Sequence, residues 1–276
     1  MRRDFISRFL LFSALVALFY INVTSSAFGE EDIAIVDGAD MVLIPSGIYS
    51  VGDDARPTEL GAFYIDRSEV TNAHYAEFLN SVAIGGDVPW EHWIDSQDGS
   101  KCMIKKAGDQ FVPLEGFENY PVVTVSWEGA MAYAAWTNKE LPTRAQWEAS
   151  ARGGSASRFP SGDAISPKDA NYTDETKDKK TNPPRLMPSE SFAPNAFGLY
   201  DVIGNAAEWT GDDYATDFLS FVPALFFKQA KTESAKILMG GSFLSLPNEL
   251  GVSRTIPANP NARFGNVGFR CVRNIK

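Results

Sequence analysis

Apolar and polar positions alternate in short stretches along most of the chain, and helical spacing breaks in at a few places. From Met41 to Val51 the alternation is that of hairpin strands, with Pro45-Ser46-Gly47 as the turn. Phe63-Tyr64-Ile65-Asp66 reads as a further short strand. Thr71 then stands at an N-cap position, and Tyr75, Phe78, Leu79 and Val82 share one face of a helix over 72–82. Met103–Lys106 and Gln110–Pro113 flank Ala107-Gly108-Asp109, a hairpin pattern. Val122–Val125 is β-branched and strand-like, and Ser126 caps a helix predicted over 127–138. Thr143 with Gln146 forms a capping box for Arg144–Arg152, which Gly153-Gly154 closes. Residues 155–196 carry little periodicity, and Asp174–Lys180 reads as a solvated loop. Beyond them come an apolar stretch at Phe197–Val202, a tight turn at Gly204-Asn205, and strands at Ile237–Met239 and Gly268–Val272. So much loop in one unbroken chain predicts an irregular α+β domain that needs staples other than regular structure.

The N-terminus departs from this pattern. Arg2, Arg3 and Arg8 precede the apolar run Phe9–Val23, and small residues follow at Thr24, Ser25, Ser26 and Ala27. That order is a signal peptide, residues 1–27, with cleavage before Phe28. The same residues, left uncut, are a membrane anchor, though the run is shorter than the ~20 residues that span a bilayer. Either way the body is expected to be exported, periplasmic or extracellular, touching membrane only through this segment. Residues 28–40 form a short leader and 41–276 the domain.

Composition narrows the function. The 276 residues carry 35 acidic and 25 basic side chains, a formal charge of −10. An acidic surface argues against nucleic acid as a partner, because phosphate contacts need a basic face. Two histidines, His74 and His92, exclude a three-imidazole site; two cysteines, Cys102 and Cys271, exclude four-thiolate zinc and iron–sulfur clusters.

Several strings together resemble the formylglycine-generating enzyme (sulfatase-modifying factor) family. They are Met41–Gly47 as an opening hairpin; Phe63-Tyr64-Ile65-Asp66-Arg67-Ser68-Glu69-Val70-Thr71-Asn72; Leu141-Pro142-Thr143-Arg144-Ala145-Gln146-Trp147-Glu148; Asn195-Ala196-Phe197-Gly198-Leu199-Tyr200-Asp201; Gly204-Asn205-Ala206-Ala207-Glu208-Trp209; Gly240-Gly241-Ser242-Phe243; and Gly265–Cys271. The resemblance runs from about Met41 to Val272. It implies a single irregular α+β domain related to C-type lectins, with bound calcium.

It also implies a mechanism, provided the residues are present. The aerobic enzymes hold Cu(I) between two thiolates after the Gly-Gly-Ser block and use O2 to oxidise a substrate cysteine. Those positions fall on Ser245 and Leu250, and neither is a soft donor. Formylglycine generation, and copper with it, is therefore not expected. The iron-dependent sulfoxide synthase branch needs more histidines than this chain has. A branch similar to the pyoverdine-maturation oxidase does not depend on the cysteine pair and stands as the enzymatic alternative.

Calcium is implied at the Gly-Asn turn, through the carbonyls of Ile203, Gly204 and Ala206 and the carboxylate of Glu208. The other reading of Glu208 is a salt bridge to an arginine. A second implied ion would use carbonyls at Asn171 and Tyr172 plus a downstream carboxylate. Ala207 stands where the family usually has Trp. The family partner of the Cys271 position falls on Ala134, so Cys102 and Cys271 either pair with each other or remain separate thiols. His74 reads as a surface or satisfied histidine, and Arg254 and Arg270 as partners of carboxylates. Ser245, Arg254 and Trp209 are expected to line the inherited cleft. The favoured reading is an exported binding or interaction module that meets a protein partner or envelope complex.

Overall fold

The computed structural model describes residues 33–36, 39–83, 90–96, 101–214 and 235–275. The expected signal or anchor segment lies outside them.

Strands β1 (Ile33–Val36), β2 (Ala39–Ile44), β3 (Gly47–Val51), β4 (Arg56–Leu60) and β5 (Phe63–Asp66) come first. Helices α1 (Asn72–Ala83) and α2 (Trp90–Trp93) follow, then the hairpin β6 (Ile104–Ala107) and β7 (Gln110–Pro113). Next are α3 (Trp127–Trp136), α4 (Arg144–Arg152), β8 (Ala207–Asp213), β9 (Lys236–Met239), β10 (Ile256–Ala258), β11 (Val267–Gly268) and β12 (Val272–Asn274). One sheet has the order β1-β2-β5-β12, so the two ends of the domain meet in it. The other has the order β10-β9-β8-β11, with β11 parallel to β8.

The helix signals act as their chemistry predicts. Thr71 Oγ1 accepts from the His74 amide, and Ser126 accepts from the Gly129 amide. At α4 the Thr143–Gln146 capping box is complete and Gly153 closes the helix in the left-handed region. Three strand expectations need correction. Gly268–Val272 is not one strand: Gly268 ends β11, Val272 begins β12, and Phe269–Cys271 lie in neither. Met41–Val51 is not a hairpin: β2 pairs with β1 and β5, while β3 pairs with β4. The turn at Pro45–Gly47 redirects the chain from one sheet to another. Val122–Val125 joins no named strand and makes only an isolated bridge, Ile94 to Val125. Its apolar side chains reflect complete burial instead.

The period-2 alternation of β8 and β9 sorts the core. Trp209 and Leu238, paired in register, face the cluster built on α1 and α3 with Tyr75, Phe78, Tyr133 and Phe269. Met239 faces the other cluster, with Val42, Ile65, Trp147 and Phe197. Glu208 pairs with Met239 in register, so the alternation sends its carboxylate to the side opposite Trp209, toward Trp147 of α4.

Candidate functional site

Gly204 fixes the turn that begins the site. Its φ is +79°, and a Cβ there would lie 2.2 Å from the Asn171 carbonyl oxygen, so only glycine fits. The Asn205 amide donates to that same carbonyl at 2.8 Å. Asn205 then uses its whole side chain: Nδ2 donates to Glu69 Oε1 at 3.0 Å, and Oδ1 accepts from Asn171 Nδ2 and the Met187 amide.

Glu208 is completely engaged. Its Oε1 accepts from Arg270 Nε and Nη2 at 3.0 and 2.8 Å. Its Oε2 accepts from Arg270 Nε at 2.8 Å and Trp147 Nε1 at 2.6 Å. Arg270 also donates to the carbonyls of Tyr200, Asp66 and Arg67. Both side chains are buried, and the guanidinium's planar fork is what lets every donor find an oxygen.

Two further carboxyls crowd this pair, and the sequence reading missed both. Glu69 lies in the loop between β5 and α1, and Asp201 precedes the turn with a left-handed φ of +52°. Burial pushes the Glu69 carboxyl well above its ordinary range, and the negative charge of Asp201 pushes it further against the opposing pull of Arg270. Burial likewise raises Asp201, to about 6. Asp201 Oδ2 accepts from the Glu190 amide, while Asp201 Oδ1 and Glu69 Oε2 are buried with no hydrogen-bond partner. Three buried carboxyls thus surround one guanidinium. The available signal was position: Asp201 and Glu69 sit inside strings that carried the family resemblance.

This arrangement redraws the expected calcium ligand set. Both Glu208 oxygens accept hydrogen bonds from Arg270 or Trp147, the salt-bridge reading of this residue. The buried Asp201 Oδ1, which has no hydrogen-bond partner, is a carboxylate oxygen close in sequence to the Ile203, Gly204 and Ala206 carbonyls and is chemically suited to a divalent cation. Among the described residues no three acidic, His or Cys side chains form a ready cage, so an ion here depends on backbone oxygens, as Ca2+ accepts. The second implied site does not fit. The carboxylate near Asn171 and Tyr172 is Asp174, which Thr176 and Lys177 already hold, and Lys179 and Arg185 line the same pocket.

The cleft lies elsewhere, as a cavity of about 390 Å3 with Ala207, Leu238, Ser245, Arg254, Phe264 and Val267 among its walls. Ser245 and Leu250 meet across Gly241. A Cβ built on Gly241 would lie 3.1 Å from Ser245 Oγ and 2.5 Å from Leu250 Cδ2. Ser245 Oγ accepts from the Ser242 amide, and Leu250 is buried in the apolar core. Arg254 is at the cavity wall, with no ion pair to the described residues. Trp209, expected here, is instead fully buried, with its indole N–H on the Val125 carbonyl.

Cys102 and Cys271 are both buried thiols rather than a disulfide, and burial pushes the Cys271 thiol well above its usual range. His74 is partly buried in α1, and burial lowers its basicity. No helix among the described residues is long and apolar enough to cross a membrane.

Residues 29–275 match the sulfatase-modifying factor enzyme 1-like domain. The formylglycine-generating enzyme of Bos taurus is 30% identical over 276 aligned positions, covering 84% of this chain and 74% of that one. A Chlamydia pneumoniae serine/threonine-protein kinase pkn1 is 34% identical over 86% of this chain, which spans only 38% of that relative's length. The structure of PvdO from Pseudomonas aeruginosa superposes with a TM-score of 0.60 at 23% identity, covering 87% and 95% of the two chains, a likeness of fold. With the irregular α+β architecture and the family strings in place around Arg270 and Glu208, the match over residues 29–275 shows that the chain belongs to the sulfatase-modifying factor (formylglycine-generating enzyme-like) family.

Proposed function

We propose that this chain is an exported member of the family that acts as a binding module in the cell envelope, with a structural calcium ion and without copper chemistry. The observation that carries this reading is the pair Ser245 and Leu250 at Gly241. They are neighbours in space, as two thiolates sharing one Cu(I) would have to be, but they offer a hydroxyl and a hydrocarbon. A hydroxyl is hard and protonated at neutral pH, and Cu(I) selects soft sulfur. The two cysteines present are buried elsewhere in the packed core. What remains at the cleft is an apolar cavity with a few polar groups, the ordinary form of a ligand site.

Calcium would be held by Asp201 and the carbonyls of Ile203, Gly204 and Ala206. When bound, the ion supplies positive charge to the three carboxyls and locks the turn. Arg270 holds Glu208 and the Tyr200 carbonyl beside that turn, and Asn205 holds Glu69 and Asn171. Export rests on the basic, apolar and small-residue order of residues 1–27.

The test pairs activity with association. The full chain is incubated with Cu(I), O2 and a cysteine-containing sulfatase peptide, and is separately used to capture partners from native envelope extracts. The expected result is no aldehyde and a stoichiometric partner that survives Ser245→Ala. Turnover of the peptide to aldehyde contradicts the reading.

A further inference from the structure

We propose that the cleft takes a ligand with an apolar body and one terminal carboxylate, and that Arg254 recognises the carboxylate. This deepens, and rests on, the reading of the cleft as a binding site without copper. The sheet β10-β9-β8-β11 contributes one apolar residue from each strand to the walls: Ile256, Leu238, Ala207 and Val267. Phe264, 38% exposed, adds an aromatic ring. The cavity measures about 390 Å3, within the ~300–1,000 Å3 of sites that hold small ligands. Such walls favour a ligand that brings apolar surface out of water.

Two charged residues line the same cavity, Glu249 and Arg254. Glu249 is committed. Its Oε2 accepts from the Leu246 amide at 2.8 Å and so caps the short turn Pro247–Glu249. Arg254 is exposed, and among the described residues its guanidinium has neither an ion pair nor a hydrogen bond. Its backbone is fixed, because its amide donates to the Gly251 carbonyl at 3.1 Å. Ser245 Oγ accepts from the Ser242 amide at 3.1 Å, which leaves its own O–H as a donor. An exposed arginine alone is an ordinary surface residue. This one stands, uncompensated, on the wall of a largely apolar cavity.

The polar group of the ligand must therefore accept hydrogen bonds and carry negative charge. The planar guanidinium fork matches a carboxylate through two parallel N–H···O bonds. A phosphate or a second carboxylate would bring further negative charge beside Glu249, so a monoanion fits the lining better. A cationic ligand would face Arg254 and would find one Glu249 oxygen already in use. The carboxylate belongs either to a free organic acid or to the C-terminus of a polypeptide with an apolar last residue; the chemistry is the same.

The full-length chain is titrated calorimetrically with octanoate, octanamide and octylamine, and with acetyl-Gly-Gly-Leu as the free acid and as the C-terminal amide. Saturable binding of octanoate supports a free acid, and binding of the peptide acid alone supports a chain end. In either case the matching amide binds about tenfold more weakly or worse, the loss expected when a charge-assisted hydrogen bond is removed. Arg254→Gln weakens the acid by the same factor and leaves the melting temperature unchanged. Thr255→Trp, which fills the cavity while keeping Arg254, weakens acid and amide together. Equal binding of acid and amide, undiminished acid binding in Arg254→Gln, or tighter binding of octylamine than of octanoate would overturn the proposal. A chain that captures its envelope partner but binds none of these probes also overturns it and leaves the wider reading standing. Aldehyde formation from the sulfatase peptide removes the wider reading itself.

Discussion

The charged turn and the cleft diverge in what they require of their side chains. At the turn, Arg270, Glu208, Trp147, Asn205 and Gly204 are interlocked: each polar atom of the Arg270–Glu208 pair has a named partner. Changing one member strands another in a place water cannot reach. At the cleft, the Ser245 side chain accepts one hydrogen bond, from the Ser242 amide, and the Leu250 side chain is held by apolar packing alone. The difference teaches that the fold depends on the turn and not on the chemistry of the cleft. A scaffold can therefore keep its architecture while its soft donors are replaced.

The largest effect that breaks this contrast comes from Arg270→Met. It leaves three buried carboxyls without their cation, and removing one member of a buried pair typically costs about 3–5 kcal/mol. Urea denaturation should show a loss of that order or a chain that does not fold; a loss below about 1 kcal/mol would mean the turn is not the structural centre. Trp147→Phe is the next step down. It deletes one of the two donors to Glu208 Oε2, leaving Arg270 Nε in place, and should cost about 1.5–3 kcal/mol, the worth of a hydrogen bond to a charged group.

Acidity sharpens the contrast further. Asp201 titrates near 6 in the folded chain, above its unfolded value, and Glu69 is raised as well. Raised carboxyls contribute stability that is fully present below their unfolded pKa and is lost as pH rises through the folded one. In EDTA the melting temperature should therefore fall as pH rises from about 4 to beyond 6, and Asp201→Asn should flatten that slope. Added Ca2+ should restore stability at pH 7.5 and do little at pH 5, where protonated carboxyls compete with the metal. Identical curves with and without Ca2+ would remove the ion from the turn.

The smallest effect belongs to the cleft. Ser245→Ala removes one acceptor from the Ser242 amide and should shift stability by no more than about 1 kcal/mol.

Local physics made part of this legible in the sequence. The caps at Ser126 and Thr143 and the close of α4 at Gly153 depend on neighbours within a few residues, and the structure has all three. The Pro45–Gly47 segment misled because a turn former does not say which strand comes next; β2 and β3 are sequence neighbours assigned to different sheets. At the site, Glu208 stood out through its motif, and its salt bridge to an arginine was one of the two readings open. Glu69 and Asp201 were not, because their meaning arises from contacts across more than 130 residues in the case of Glu69 and Asn205. Trp209 looked like a cleft residue from its place in the motif, but the alternation of β8 sends it to the opposite core.

The most direct measurement is competition for Cu(I) against a colorimetric chelator, comparing the native chain with the double variant Ser245→Cys and Leu250→Cys. The native chain should remove no Cu(I) from the chelator, while the variant should gain one tight equivalent, because the two positions already meet across Gly241. Tight stoichiometric Cu(I) binding by the native chain would contradict the account.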